Sequence, residues 1–569
     1  MRVRAIIYAL PLAFLGFFFL YPLAAILRLS LGGGRGAGLA VLLVDRYYLE
    51  VVWFSAWQAA LSTLLTLAAG IPVAYVLVRY RFPGRRLLRA LATVPFVLPT
   101  TVVAAAFAAL LGPRGLLNAW LQEALALERP PIQVLGTLGA ILLGHVFYNL
   151  GVVVRIVGGF WSTLDRRPEE AAATLGAGRW QVLRYVTLPL LLPAVGAAAL
   201  LVFIFTFGSF GVVLLLGGPR FATLEVEVYR QTAQLLRLDV AAALALVQVA
   251  VTLLLTLAYT RIQARAAAPL ERRAQHALER PPRTWRARLL VVGIVAVLLL
   301  LVGAPLMALV LRSFTALGPG EAGGLTLEHY RALGESRRGA LFAVPPARAV
   351  LNSLVFAVVA TVIAMLIGIP AAYLLSTQNA TFTRRNGARS YRNGGLQVAL
   401  VMLDPLFTLP LGVSAVTLGL GYIVALGPLG LLRSPWLIPA AHALLAFPFV
   451  VRSLLPALRA LDPRLRDAAR VLGAGPAQVL RAIDLPLLFP ALLVGAVFSF
   501  TVSLGDFGAA LLLARPELPT APVVIGRLLG QPGEANYGQA LALGTVLMAV
   551  AAAGFVALER LRFRDIGEF

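Results

Sequence analysis

A chain of 569 residues that is 60% apolar and only 13% charged, with a mean hydropathy of +0.87, lies outside the range of soluble domains and reads as an integral membrane protein. Its formal net charge of +24 comes from arginine alone, which fits loops held against anionic lipid and argues against a nucleic-acid partner. The missing lysine excludes a G-x-x-x-x-G-K-[ST] phosphate loop, so any nucleotide hydrolysis belongs to a partner chain, and the absence of cysteine excludes disulfides, thiolate metal sites and iron–sulfur clusters.

Met1 to Arg4 leads into an apolar run with no small-residue cleavage site before the next polar loop, so it reads as a first span and not as a cleaved signal. Segments near the roughly 20 residues that cross a bilayer follow at 52–78, 90–112, 134–160, 190–216 and 240–260. Six more lie at 289–311, 350–376, 397–424, 435–457, 487–513 and 538–558. Arginine crowds "RYRFPGRRLLR" (79–89), the segment 261–288 and "TRRNGARSYR" (383–392), which makes these loops cytoplasmic together with both termini.

The chain repeats itself at an offset of 297 residues. From Asp165 to Pro193 against Asp462 to Pro490, seventeen of twenty-nine positions are identical. His145 pairs with His442, Arg155 with Arg452 and "GSFG" (208–211) with "GDFG" (505–508), and "GIPVAY" (70–75) pairs with "GIPAAY" (368–373) one residue out of that offset. The expected architecture is an all-α polytopic membrane protein of about twelve helices in two parallel six-helix repeats. Its units are 1–260 and 289–569, joined by the Arg-rich linker 261–288, with a pathway between the halves.

The repeated segment lies in the cytoplasm between the fourth and fifth helix of each unit. In the first copy, 165–189, Asp165 is an N-cap candidate and acids fill the first turn; Gly176 and Gly178 turn the chain into a second short helix that ends at Pro189. The second copy, 462–486, does the same through Asp467, Gly473, Gly475 and Pro486. A helix lying on lipid explains one such loop; identical spacing in both copies points to two equivalent docking knobs.

The pattern E-A-A-x(3)-G-x(9)-I-x-L-P carried by these loops resembles the signature of the membrane subunits of ABC-type importers. It stands here as Glu170, Ala171, Ala172, Gly176, Val186, Leu188 and Pro189, and again as Asp467, Ala468, Ala469, Gly473, Ile483, Leu485 and Pro486. The resemblance implies the type I importer permease fold, with each loop serving as a coupling helix in a groove of an ATPase subunit. It implies two cytoplasmic ATPase subunits that use ATP and magnesium, an extracytoplasmic substrate-binding protein, and an inner membrane of a bacterium or archaeon as the location. The fused two-unit layout is similar to permeases for thiamine and for ferric iron, through "GHVFYNLGVVVR" (144–155), "FGSFGVVLLLGGPRFATLEVEVY" (207–229) and "SLGDFGAALLL" (503–513).

Asp506 is the ionisable residue singled out for the substrate path, because its repeat equivalent is Ser209 and the repeat's packing therefore does not require an acid. A capping role near the helix end is the alternative. Phe207 and Phe210 are candidates to contact a heterocycle, against simple helix packing. His145 and His442 fall short of the three or four ligands of a tight metal site. Two rival readings are a twelve-helix secondary transporter, which leaves the duplicated loop unexplained, and a membrane scaffold recruiting cytoplasmic partners. No constellation for enzymatic chemistry is evident.

Overall fold

The computed structural model describes residues 2–32, 37–165, 167–266, 281–316, 324–335, 344–385 and 403–564. Most of the Arg-rich linker (267–280) and part of the basic loop 383–392 lie outside the described residues. The described residues form helices and turns, with a single isolated bridge between Thr315 and Leu325.

Eleven helices are long and apolar enough to cross a membrane, and a bent pair, Leu406–Gly412 with Ala415–Leu426, makes a twelfth if counted as one span. In chain order the first six are Ala9–Gly32, Arg46–Arg79, Thr100–Leu125, Leu138–Trp161, Trp180–Phe207 and Leu238–Ile262. Then come Trp285–Ser313, Pro346–Ser376, the bent pair, Leu437–Ala460, Pro476–Gly505 and Glu534–Gly554. We number these spans one to twelve. Leucines such as Leu64, Leu254, Leu300 and Leu366 stay exposed along them, as lipid-facing side chains must.

Three boundaries differ from the sequence reading. The segment expected at 90–112 starts as a span only at Thr100, after a separate helix Arg85–Thr93 whose face carries Arg85, Arg86 and Arg89. The segments expected at 190–216 and 487–513 stop at Phe207 and Gly505, and short helices Gly211–Leu216 and Gly508–Leu513 follow each break. Hydropathy does not register these breaks because the residues that make them are glycine, phenylalanine and one small or acidic residue.

The repeated "GIP" motifs have a packing cause. A Cβ built at Gly70 would lie 2.7 Å from Val153, and one at Gly368 would lie 2.7 Å from Val450, its repeat equivalent. In both copies the second helix therefore touches the fourth through bare backbone, the small-residue contact that membrane helices use in place of hydrophobic burial.

The two units are interlocked. Span one packs on the bent ninth span, where Pro22 and Ile26 come within 3.0 and 3.3 Å of a Cβ built at Gly421, and the Tyr21 hydroxyl donates to the Ala425 carbonyl at 3.3 Å. Span seven returns the arrangement on span three: Leu309 and Ala105 both sit 3.6 Å from a Cβ at Gly544, and Arg312 Nε donates to the Arg114 carbonyl at 3.0 Å. One buried cluster consequently joins Ile26, Phe107, Phe210 and Val226 to Leu309, Leu420, Phe507 and Leu541.

Candidate functional site

The two repeated loops fold alike. Helices Arg167–Thr174 and Pro463–Val471 are capped by Asp165 and Asp462, whose Oδ1 atoms accept from Arg167 N and Arg464 N at 3.1 and 2.9 Å. Each ends in a glycine of left-handed backbone, Gly176 at φ +87° and Gly473 at φ +83°. Ala177 N donates to the Ala172 carbonyl and Ala474 N to the Ala469 carbonyl, both at 3.0 Å, which closes the last turn in a Schellman cap. Gln181 and Gln478 then accept from Gly178 N and Gly475 N at 2.8 Å, starting the second short helix. The sequence reading did not single out this glutamine pair, although both copies carry it.

Two consequences bear on docking. Leu175 and Leu472 occupy the same place in the two loops, just before the glycine turn, and are 89% and 87% exposed. Among the acids, Glu170 is exposed, whereas its neighbour Glu169 is tied inward: Oε2 pairs with Arg79 at 2.5 Å and Oε1 accepts from Thr187 at 2.8 Å. The second loop makes the equivalent tie with other chemistry, Arg466 Nε to Asp484 Oδ1 at 2.7 Å. Asp467 is exposed and pairs with Arg470 at 3.2 Å.

Behind each tie the helix widens to a π-turn, Leu183–Thr187 and Leu480–Asp484, directly before Leu188-Pro189 and Leu485-Pro486. Proline has no amide to donate and its ring crowds the carbonyl four residues back, so the wide turn relieves what would otherwise be a kink. Each loop is thus continuous with a long span, and at the far end of those spans lie the breaks at 208–210 and 506–507.

At the breaks Phe210 and Phe507, equivalent in the repeat, stack on each other across the boundary between the units, with centroids 5.6 Å apart and planes 27° from parallel. Gly211 and Gly508 let the following helices approach Thr100 and Ala415; a Cβ would come within 2.3 and 3.0 Å of them. Asp506 lies past the end of its span, not within it. Its Oδ2 accepts from Ala510 N at 3.0 Å, a capping role, and from His442 Nε2 at 3.1 Å. His442 Nδ1 is 2.8 Å from Ser503 Oγ. The equivalent His145 meets Ser62 Oγ at 2.9 Å through Nδ1, and its Nε2 has no partner among the described residues. Ser209 is half-buried opposite, and Phe207 is buried against Phe203.

Glu225, which the sequence reading passed over, comes to the same place. It sits in the short helix Leu224–Tyr229, outside the spans, and its Oε1 would be 3.1 Å from a Cβ at Gly208. Gln248 Nε2 donates to that oxygen at 2.6 Å. Burial pushes this carboxyl up to about 8; the Gln248 hydrogen bond opposes the rise and the Asp506 charge adds to it. The neighbouring Glu227, by contrast, has Arg230 at 3.8 Å and the Tyr47 hydroxyl at 2.8 Å.

Duplicated loops at one end of the bundle and a closed junction at the other define a membrane permease built in two copies. The pattern of the family described as binding-protein-dependent transport system inner membrane component matches residues 66–268. The sulfate transport system permease protein CysT of Escherichia coli (strain K12) is 36% identical over 210 residues, 37% of this chain and 74% of its own length. The thiamine transport system permease protein ThiP of Brucella abortus (strain 2308) is 29% identical over 539 residues, 92% of this chain and 91% of its own. A crystal structure of a bacterial ABC transporter involved in the import of the acidic polysaccharide alginate aligns at TM-score 0.38 and 17% identity, over 45% of this chain and 93% of that one. The chain belongs to the family of binding-protein-dependent transport system inner membrane components, multi-pass proteins that act in transport and are not enzymes.

Proposed function

We propose that this chain is the two-unit permease of an ATP-driven importer and that its cargo is thiamine, delivered by an extracytoplasmic binding protein. The cargo reading is supported by relatives named thiamine permeases that align along nine tenths of the chain, 92% in the Brucella abortus case. Units 1–260 and 289–569, joined by 261–288, each present one loop to one of two cytoplasmic ATPase subunits, and both termini are cytoplasmic. Ferric iron is the other cargo considered from sequence.

The observation that carries the coupling role is the pair of loops with one geometry and with the most exposed leucine of each, Leu175 and Leu472, at the same place. The contact with the ATPase subunit runs through these leucines, the small Ala171, Ala172, Ala468 and Ala469, and the acids Glu170 and Asp467. Closure of the ATPase pair moves both loops as rigid bodies. Each loop passes that motion into its long span through the π-turn and the ties at Glu169 and Arg466. The 28 residues of Trp180–Phe207 carry it about 42 Å to the stacked phenylalanines.

The test is the binding of the cognate ATPase subunit to the detergent-solubilised permease. Leu175→Asp and Leu472→Asp together are expected to weaken it by about tenfold or more, as loss of an apolar anchor does at a protein interface. Unchanged binding would remove the loops from the docking surface.

A further inference from the structure

We infer that Glu225 and Asp506 form a single cation site at the junction between the units, and that it selects a small organic cation whose ring is received by the faces of Phe210 and Phe507 when that pair parts. The inference rests on the permease reading above and adds the charge, chemical class and location of the cargo's contact.

Symmetry gives the first reason. The fold is written twice, so a residue demanded by its packing has a counterpart, as the histidines and the two phenylalanines do. Glu225 faces Pro522 in the repeat, Asp506 faces Ser209, and Gln248 faces Thr545. Three polar groups that the repeat does not duplicate, two from the first unit and one from the second, converge at one junction; Asp506 also caps its helix, but the equivalent helix Gly211–Leu216 does without such a cap.

Electrostatics gives the second. Burial and the Asp506 charge both hold the proton on Glu225, so Glu225 is largely protonated near pH 7, and a cation seated beside it favours the ionised form by opposing both effects. The side chain that donates to Glu225 is itself only half satisfied: Gln248 is 1% exposed, and its Oε1 has no hydrogen-bond partner among the described residues.

The surroundings select the type of cation. A hard metal ion takes six or more oxygen ligands, and among the described residues no group of three or more His, Cys, Asp or Glu is placed to hold one. The remaining wall is aromatic: Phe210 and Phe507 face each other at 5.6 Å, and Tyr229 stands edge-on to Phe210 at 5.4 Å. Once separated, the two phenyl faces bind a delocalised organic cation by cation–π attraction while the carboxylates balance its charge. A quaternary thiazolium, as thiamine carries, belongs to this class, whereas an anion such as sulfate is repelled.

The test needs no cargo. The chain has no cysteine, so S209C places one thiol beside the site. The complete transporter carrying S209C is treated with a cationic and an anionic methanethiosulfonate, the aminoethyl and sulfonatoethyl reagents, in nucleotide-free and ATP-bound states. The cationic reagent is expected to react about tenfold faster or more, because its charge favours the ionised form of Glu225 as it approaches and the acids then attract it at an intermediate dielectric. Adding E225Q and D506N together is expected to bring the two rates within about twofold, and each single change, offered in case the double variant fails to assemble, to lower the ratio in part. Equal rates in the S209C chain, a ratio that the substitutions leave unchanged, or a thiol that neither reagent reaches in either state would overturn the site. Because no cargo is present, failure of thiamine uptake leaves this result independent.

Discussion

A chain carrying Gly176→Ala and Gly473→Ala together is expected to lose ATP-driven uptake by at least about tenfold at equal membrane content, within the range that coupling free energies between sites span. Both glycines hold left-handed backbone, at φ +87° and +83°, and a Cβ at either would meet nothing within 4 Å. The substitution therefore acts through conformation and not through collision. A side chain in this region costs roughly 1–2 kcal/mol at each position, which favours a different turn and opens the Schellman cap. Leu175 and Leu472 immediately precede these turns, so their direction changes with them. The chain should still insert, because the loops lie outside the spans. Gly159→Ala is the control: that glycine is helical with nothing within 4 Å of its added Cβ, and uptake should be unaffected. Uptake by the double variant at the unaltered rate would detach the loops from transport.

Gly70→Ala and Gly368→Ala are expected to behave as a matched pair with the opposite cause. Each new methyl would come within 2.7 Å of a valine, Val153 or Val450, in the fourth helix of the same unit. Overpacking of this kind costs about 1–3 kcal/mol, here paid as separation of the second and fourth helices. Thermal stability in detergent should fall by similar amounts for the two single variants and nearly additively for the double, since the sites belong to different units. Val153→Ala in the Gly70→Ala chain should recover part of the loss, with a coupling of about 0.5–3 kcal/mol, and Val450→Ala should do the same for Gly368→Ala. A stability loss in one copy only, or no rescue by either valine, would contradict the shared close contact.

The features legible in the sequence are those written locally or written twice. Span number follows from apolar length, and the loops follow from their identical turn glycines and the cap at Asp165. The role of "GIP" was visible only as repetition, because its cause is a valine eighty-odd residues away in the chain, Val153 for Gly70. The crossing of spans one and seven onto the opposite unit was not legible, since Pro22 and Ile26 carry no mark that Gly421 receives them. Asp506 drew attention as an unmatched acid, but its location past the helix end depends on a break that hydropathy does not register. Glu225 was hidden by its company. In "LEVEVY" it reads as one acid of an outer loop, and only the fold separates it from Glu227, which has an arginine beside it. The same holds for Glu169 and Glu170, adjacent in sequence, of which one is tied inward and the other exposed.

The most direct measurement is uptake of labelled thiamine by proteoliposomes holding this chain with its cognate ATPase and binding protein, with and without ATP. The account predicts accumulation that requires ATP and the binding protein and that is lost with the Gly176→Ala, Gly473→Ala pair. No thiamine accumulation by a complex whose ATPase is bound and active would contradict the cargo, and accumulation without ATP would contradict the importer mechanism itself.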